Sequence, residues 1–346
     1  MDKRSLLYAA VVGLVLLDVA IGVYAVYNAP FPLKVTLGSP TAYLNIYLHI
    51  PMAWASYVLY TGAFISAIIY LVRGGERWDR LVEGFVALGT IYAVFTLISG
   101  MAWASESWGA AWSWDPRETG VLLLLLAYLV YFVLRASIPD PDRAATLSAA
   151  YAVAAYSMVP VSFLAPRLVS SSLHPTMASF GHFMGRPDVL RIFVPKVILA
   201  TVVALLLAYL ASERLAGRSA PRWARWAGIG IIALGMVIGL VVASPYFGGG
   251  VERVLAANLT KNGEIASLVL SGRGKVVLPH PVPSPVQPPS YNGTPSIIGH
   301  LVKLVDGRIE VVRHWSVALN AAAYPVIVGM VLLYLSKPPR RRMEEE

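Results

Sequence analysis

The sequence predicts an all-α polytopic membrane protein of about eight transmembrane helices, with a small β-rich extracytoplasmic module between the seventh and eighth. Three observations predict this class. Hydrophobic residues make up 57% of the chain and charged residues only 14%, the balance of a bilayer protein rather than a soluble domain. Eight apolar runs reach the ~20 residues a helix needs to cross the hydrocarbon core. Two stretches near the C-terminal end carry strand-turn-strand patterns instead.

The eight runs lie at roughly 5–27, 46–72, 81–103, 119–137, 144–166, 189–211, 226–245 and 317–336. The first is long for a signal peptide and shows no small-residue cleavage site before a soluble domain, so it is kept as a helix. The second is preceded by an amphipathic stretch, 41–48, with Tyr43, Asn45 and Tyr47. A continuous helix over 41–72 would measure roughly 48 Å against about 30 Å of hydrocarbon, which puts its outer part, including His49, at the interface. Residues 1–212 read as one six-helix block. Residues 213–346 read as an extension of two helices flanking a module at 246–315.

Within that module, "EIASLVLSGRGKVVL" and "IIGHLVKLVDGRIEVVRHW" each predict a hairpin, the second turning at Asp306-Gly307. The intervening "PHPVPSPVQPPS" reads as a stiff, extended tether. Two glycosylation-type sequons, at Asn258 and Asn292, fall in the same region.

Lys and Arg set the orientation. Lys3, Arg4, Arg73, Arg77, Arg80, Arg135, Arg143, Arg214, Arg218, Arg222, Arg225, Lys337, Arg340, Arg341 and Arg342 all fall on one side of the eight runs. That side is expected to be the cytoplasm, with both termini inside a cell membrane. The net charge of +9 then reports topology and contact with membrane lipid, not nucleic acid. The chain has no cysteine, which excludes thiol chemistry and any thioether made by the chain itself.

On this topology all six histidines, His49, His174, His182, His280, His300 and His314, lie on the outer face. The last three sit in the module and read first as surface residues; His182 follows a glycine in a loop. His49 and His174 flank the segment 108–119, "WGAAWSWDPRET", at one membrane level. Two neutral imidazoles approaching from opposite sides can hold a haem iron. Indoles stack on the flat faces of a porphyrin, and propionates want arginine. Arg117, Arg167, Arg186 and Arg191 supply outer cations against the usual membrane bias. An interfacial aromatic belt, with both histidines as ordinary polar caps, accounts for the same residues.

The tryptophan segment also has a local reading. Asp115 suits the N-cap of the fourth helix, Pro116 its first position, and Glu118 the capping-box partner. If 108–114 were helical, Trp108 and Trp112 would share a face and Trp114 would turn toward the bundle.

WGxxWxWDxRxT in an outer loop resembles the signature of the "WWD" haem-handling proteins of cytochrome c assembly, the CcmC/CcsA family. "LHIPMAWASYVLY" is similar to the family's first outer histidine segment and "VPVSFLAPRLVSSSLHPT" to its second. The resemblance covers roughly residues 40–212. It implies His49 and His174 as axial haem ligands, and Trp108, Gly109, Trp112, Trp114 and Asp115 as a haem platform with Arg117 beside it. It also implies a non-covalent haem b as transient cargo, a CcmE-like haem chaperone that receives it for delivery to apocytochrome c, and ABC-transporter-type export subunits. Two departures stand out. Ala111 occupies the place of a family tryptophan, a contact that Trp103 or Trp54 could supply. The last two helices and the module exceed the six-helix CcmC plan. The eight-helix count is similar to the CcsA branch, but that branch also carries histidines within the membrane and this chain has none.

The expected function is therefore that of a CcmC-like haem-binding protein of cytochrome c maturation, not an enzyme. It holds haem at the outer face and passes it on by ligand exchange. The alternatives are a CcsA-type synthetase subunit that presents haem directly to apocytochrome c, and a permease for a non-haem amphiphile. A quinol-linked cytochrome b would need histidines at both membrane depths. The module at 246–315 is expected to cover the platform or dock the chaperone, with His314-Trp315 as the contact point, or else only to shield the complex.

Overall fold

A computed structural model describes residues 2–33, 35, 38–169, 171–174, 181 and 183–337. His182 and Arg340 to Arg342 lie outside the described residues, as do Pro175 and Thr176 of the second histidine segment. The helices are α1 (Lys3–Asn28), α2 (His49–Arg73), α3 (Glu76–Ser107), α4 (Pro116–Ser137), α5 (Pro141–Ala155), α6 (Met158–Leu168), α7 (Pro187–Leu215), α8 (Trp223–Ala243) and α9 (Trp315–Ser336). Among the described residues, eight helical segments are long and apolar enough to cross a membrane, with α5 and α6 together forming the fifth.

Two predicted continuous helices are broken, each by a proline. The stretch before α2 is a 3₁₀ helix, Pro40–Tyr47, closed by the Leu48 N–H on the Asn45 carbonyl. Pro51 accounts for the change: in an α-helix its ring would clash with the carbonyl four residues back, that of Tyr47, which kinks or breaks the helix. Here it breaks, whereas α7 and α9 carry Pro195 and Pro325 within them. This stretch is not an exposed amphipathic one. All of it except Tyr43 is buried, with Asn45 donating to Ser316 Oγ at 2.8 Å. The fifth span breaks between Ala155 and Met158, where Pro160 makes the same demand on Tyr156.

One apolar cluster joins α1, α2, α3, α7, α8 and α9 through residues such as Val11, Leu59, Leu207, Ile231 and Val328. The last two helices are thus packed into the same core as the first three. Their mutual approach depends on glycine: a Cβ on Gly228 would lie 2.9 Å from the Gly329 carbonyl oxygen. Small residues that let backbones approach are the usual device for helix association in lipid. A second cluster, around the stacked Tyr60 and Tyr128 rings (centroids 3.9 Å apart), joins α2, α3, α4 and α5. Between α1 and α7 lies an ion pair that sequence reading passed over. Lys196 Nζ is 2.6 Å from Asp18 Oδ2 and 3.1 Å from the Asp18 carbonyl, and both side chains are buried.

The strands are β1 (Val251–Leu259), β2 (Glu264–Leu270), β3 (Gly274–Pro283), β4 (Ser290–Tyr291), β5 (Thr294–Pro295), β6 (Leu301–Val305) and β7 (Arg308–Val312). Both predicted hairpins form. The second turns with Asp306 at φ 48° and Gly307 at φ 75°, the left-handed pair that a type I′ turn requires. β1, which was not foreseen, joins them into one antiparallel sheet ordered β3-β2-β1-β6-β7. The proline-rich stretch is no tether. Its first half continues β3, and Val286 enters the core of the module.

The module sits on one end of the bundle, where α2, α4, α7 and α9 begin. Arg253 of β1 reaches Glu106 in the last turn of α3 at 2.5 Å. His314 caps α9, its Nδ1 accepting from the Ser316 N–H, and its Nε2–H donates to Glu106 at 3.0 Å. Arg313 donates to the Val26 and Tyr27 carbonyls at the end of α1. So His314, read first as a surface residue, is buried against α3 as the cap of α9, while its neighbour Trp315 is exposed. His300, also expected at the surface, is fully buried with its ring edge-on to Phe31 at 5.6 Å. His280 is exposed.

Neither ring nitrogen of His300 has a hydrogen-bond partner among the described residues, and burial pushes its imidazole down from 6.5 to about 4. The unfolded chain therefore binds the extra proton more readily. The stability of the module should be full above about pH 6.5, fall as the pH drops, and level off below about pH 4 after a loss of ~3 kcal/mol. Limited proteolysis of the module across this range should show increasing cleavage on acidification, and His300→Phe should abolish that trend. Equal acid sensitivity in the variant would assign it to another group.

Candidate functional site

At the module end, the first turn of α2, the last turns of α3, the start of α4 and the end of α6 surround a cavity of about 310 Å³, within the ~300–1,000 Å³ usual for small-molecule sites. Segments 108–115 and 171–174 complete its wall.

His49 is the first residue of α2 and lines this cavity. Its Nδ1 lies 2.7 Å from Ser99 Oγ, and the Ser99 hydroxyl donates to the Thr96 carbonyl at 3.1 Å. With its only proton committed there, Ser99 accepts from His49, so Nδ1 carries the hydrogen and Nε2 keeps its lone pair. Gly100 makes room for the ring: a Cβ there would be 3.1 Å from His49 Cε1. The indole of Trp103 meets the imidazole edge-on at 5.9 Å.

His174 lines the same cavity, its ring 4.8 Å from that of Trp108. Its Nδ1 is 2.7 Å from Asp115 Oδ1. Asp115 caps α4 through the Arg117 N–H at 2.9 Å, as expected, and it does more. Its Oδ2 accepts from Ser172 Oγ at 2.8 Å and from the Leu173 N–H at 2.5 Å. Burial pushes this carboxyl up, but the hydrogen bonds from His174, Arg117 and Ser172 outweigh it and hold it well below the usual carboxylate range. An ionised carboxylate only accepts, so His174 donates through Nδ1 and its Nε2 is the nitrogen left over.

The other predicted residues divide. Trp108, Trp112, Arg117 and Arg167 line the cavity, as do Trp54 and Trp103. Gly109, at φ 78°, and Trp114 do not. Trp114 is 71% exposed rather than turned into the bundle, and stands edge-on to Trp112 at 5.6 Å. The reason is local: α3 ends at Ser107, and Trp114 takes φ 58°, so helical face arithmetic fails across this segment. Glu118 does not close a capping box on Asp115; its carboxylate accepts from the N–H and hydroxyl of Ser113, both at 3.1 Å. Arg186 is exposed and paired with Asp188 at 2.5 Å, and Arg191 is also exposed; neither lines the cavity.

Sequence reading missed Ser99, Thr96 and Gly100. The available signal was spacing: 96, 99, 100 and 103 fall on one helical face, ending at a tryptophan. Three polar atoms on the wall, Trp103 Nε1, Arg117 Nε and Thr96 Oγ1, are buried without a partner among the described residues. Arg117 also donates to the Phe163 carbonyl at 2.9 Å and stacks on that ring. No group of three His, Asp or Glu that could hold a bare ion gathers among the described residues. Two bare imidazole nitrogens, indole walls and spare donors suit a flat apolar body that brings its own metal and carries an anionic edge.

Fold and site define a multi-pass helical membrane protein with a tryptophan-lined, bis-histidine cavity at one end. The profile of the Cytochrome C assembly protein family matches residues 3–174, and over that stretch the chain belongs to this family. It is similar to Heme exporter protein C of Rhodobacter capsulatus, at 33% identity over 30% of this chain and 43% of that protein. It is similar to a putative cytochrome c biosynthesis ccmC-like mitochondrial protein of Marchantia polymorpha, at 34% identity over 25% of this chain and 38% of that one. Cytochrome c biogenesis protein CcsA of Parasynechococcus marenigrum is 33% identical over 32% of this chain and 34% of its own length. The chain thus spans less than half the length of these relatives.

Proposed function

We propose that this chain binds haem at the module end of the bundle and passes it on during cytochrome c maturation. One observation carries the reading: His49 and His174 line a single cavity, each with Nδ1 tied back and Nε2 left for a metal. In this reading they are the axial ligands of a non-covalent haem b. Trp54, Trp103, Trp108 and Trp112 cover its faces, and Arg117 and Arg167 meet its propionates. Asp115 belongs to the site through His174. Gly109 shapes the turn, and Trp114 extends the indole surface outside the cavity. In this reading the module end lies outside the cell membrane and both termini lie in the cytoplasm, an orientation favoured by the Lys and Arg excess expected on the inner side.

The proposed recipient is a haem chaperone of the CcmE kind, which delivers to apocytochrome c, with ABC-transporter-type export subunits as further partners. The chain acts as a carrier, not an enzyme. The CcsA relative and the eight spans favour a second reading, direct presentation of haem to apocytochrome thiols. Haem-loaded protein mixed separately with a chaperone domain and with reduced apocytochrome c decides between them. Transfer to the chaperone alone supports the first reading. Thioether formation without a chaperone supports the second.

Replacing Arg117 by leucine should lower haem retention about tenfold, the worth of one charge-assisted hydrogen bond, while the haem that remains keeps its bis-imidazole spectrum. Unchanged retention in an Arg117→Leu/Arg167→Leu double variant would exclude propionate recognition by these two arginines.

A further inference from the structure

We propose that the two imidazoles are unequal ligands: Asp115 makes His174 the tightly held one, and Ser99 leaves His49 as the one a competing ligand displaces. This rests on the haem reading above and concerns what stands behind each ring.

Behind His174 stands a carboxylate. Asp115 Oδ1 lies 2.7 Å from Nδ1, and the Asp115 side chain is fully buried. A hydrogen bond to an ionised acceptor is roughly twice as strong as one between neutral groups, and burial keeps its field from being diluted by water. Pulling the Nδ1 proton toward an anion leaves more electron density on Nε2, the known effect of a carboxylate behind a metal-bound histidine. The same carboxylate also holds the Ser172 hydroxyl and the Leu173 N–H. Ring and main chain are therefore referenced to a single point.

Behind His49 stands a hydroxyl. Ser99 Oγ accepts at 2.7 Å, but it is neutral and its own proton goes to the Thr96 carbonyl. It fixes the tautomer and the orientation of the ring as well as Asp115 does for His174. It adds no negative charge. Ser99 and Asp115 are thus positioning residues of different electronic strength.

Exposure does not decide between them, because both imidazoles are half-buried.

The test uses the full chain in detergent, loaded with hemin, with imidazole as the competing ligand for the ferric form and carbon monoxide for the form reduced with dithionite. His49→Ala should keep its haem through gel filtration, and added imidazole should restore a six-coordinate low-spin spectrum. His174→Ala should retain about tenfold less haem than His49→Ala. Asp115→Asn keeps the shape and the N-cap but not the charge. It should remain six-coordinate with a raised midpoint potential and faster ligand displacement, whereas Ser99→Ala should leave the potential close to wild type. Better retention in His174→Ala than in His49→Ala, or an unchanged potential in Asp115→Asn, overturns the inference even though the wild type shows a bis-imidazole spectrum. A wild type with no such spectrum overturns the haem reading itself, and the inference with it.

Discussion

Asp18→Ala is expected to destabilise the helix bundle by about 3–5 kcal/mol, the cost of leaving a buried charge without its partner. Lys196 is only 4% exposed; its ammonium contacts Asp18 through both the carboxylate and the main-chain carbonyl, and it lies 5.0 Å from the Tyr324 ring centroid. No other acidic side chain among the described ion pairs engages it. Both side chains are buried between α1 and α7. The effect should not survive removal of both charges. Asp18→Leu/Lys196→Met replaces the pair with apolar groups of similar size, a change that is commonly neutral or stabilising. Denaturation midpoints in detergent micelles should therefore be low for the single variant and near wild type for the double. If both fall equally, the pair matters as packing and not as charge.

Asp115→Ala carries the second large effect. It removes the N-cap of α4, worth ~1 kcal/mol, and unties His174, Ser172 and Leu173 together. Loss of an outer partner of a metal-binding histidine typically costs 10–100-fold in affinity, so haem retention should fall by about that factor. The circular dichroism of the helices should change little, since the cap contributes to only one of them. Retention at the wild-type level would mean that His174 is held by something other than Asp115.

These two aspartates show where sequence reading reached and where it stopped. Asp115 was visible because capping is local: Asp-Pro-Arg-Glu ahead of an apolar run announces a helix start. Its bond to His174 spans 59 positions and has no local sign. Asp18 and Lys196 are 178 apart, and each sits in a run apolar enough to be read as a span. The spans were legible because crossing lipid imposes length and composition together. The hairpins were legible because Asp306-Gly307 names its turn. β1 was not, since "VERVLAANL" lacks clean alternation and takes its place from neighbours on both sides. Pro51 and Pro160 were in plain view, the first near a predicted helix start and the second deep in a predicted span, yet the break at each shows only when the carbonyl four residues back is considered. At the site, the histidines and tryptophans stood out by type and context, whereas Ser99 is one small polar residue in a long helix and becomes significant only when His49 is seen against it.

The central claim is that His49 and His174 together hold a haem. The absorption spectrum of the purified full chain reconstituted with hemin tests it most directly, beside that of the His49→Ala/His174→Ala double variant. A six-coordinate low-spin spectrum is expected for the wild type and no such species for the double variant. A wild type that takes up no haem, or a double variant with an unaltered spectrum, would contradict it.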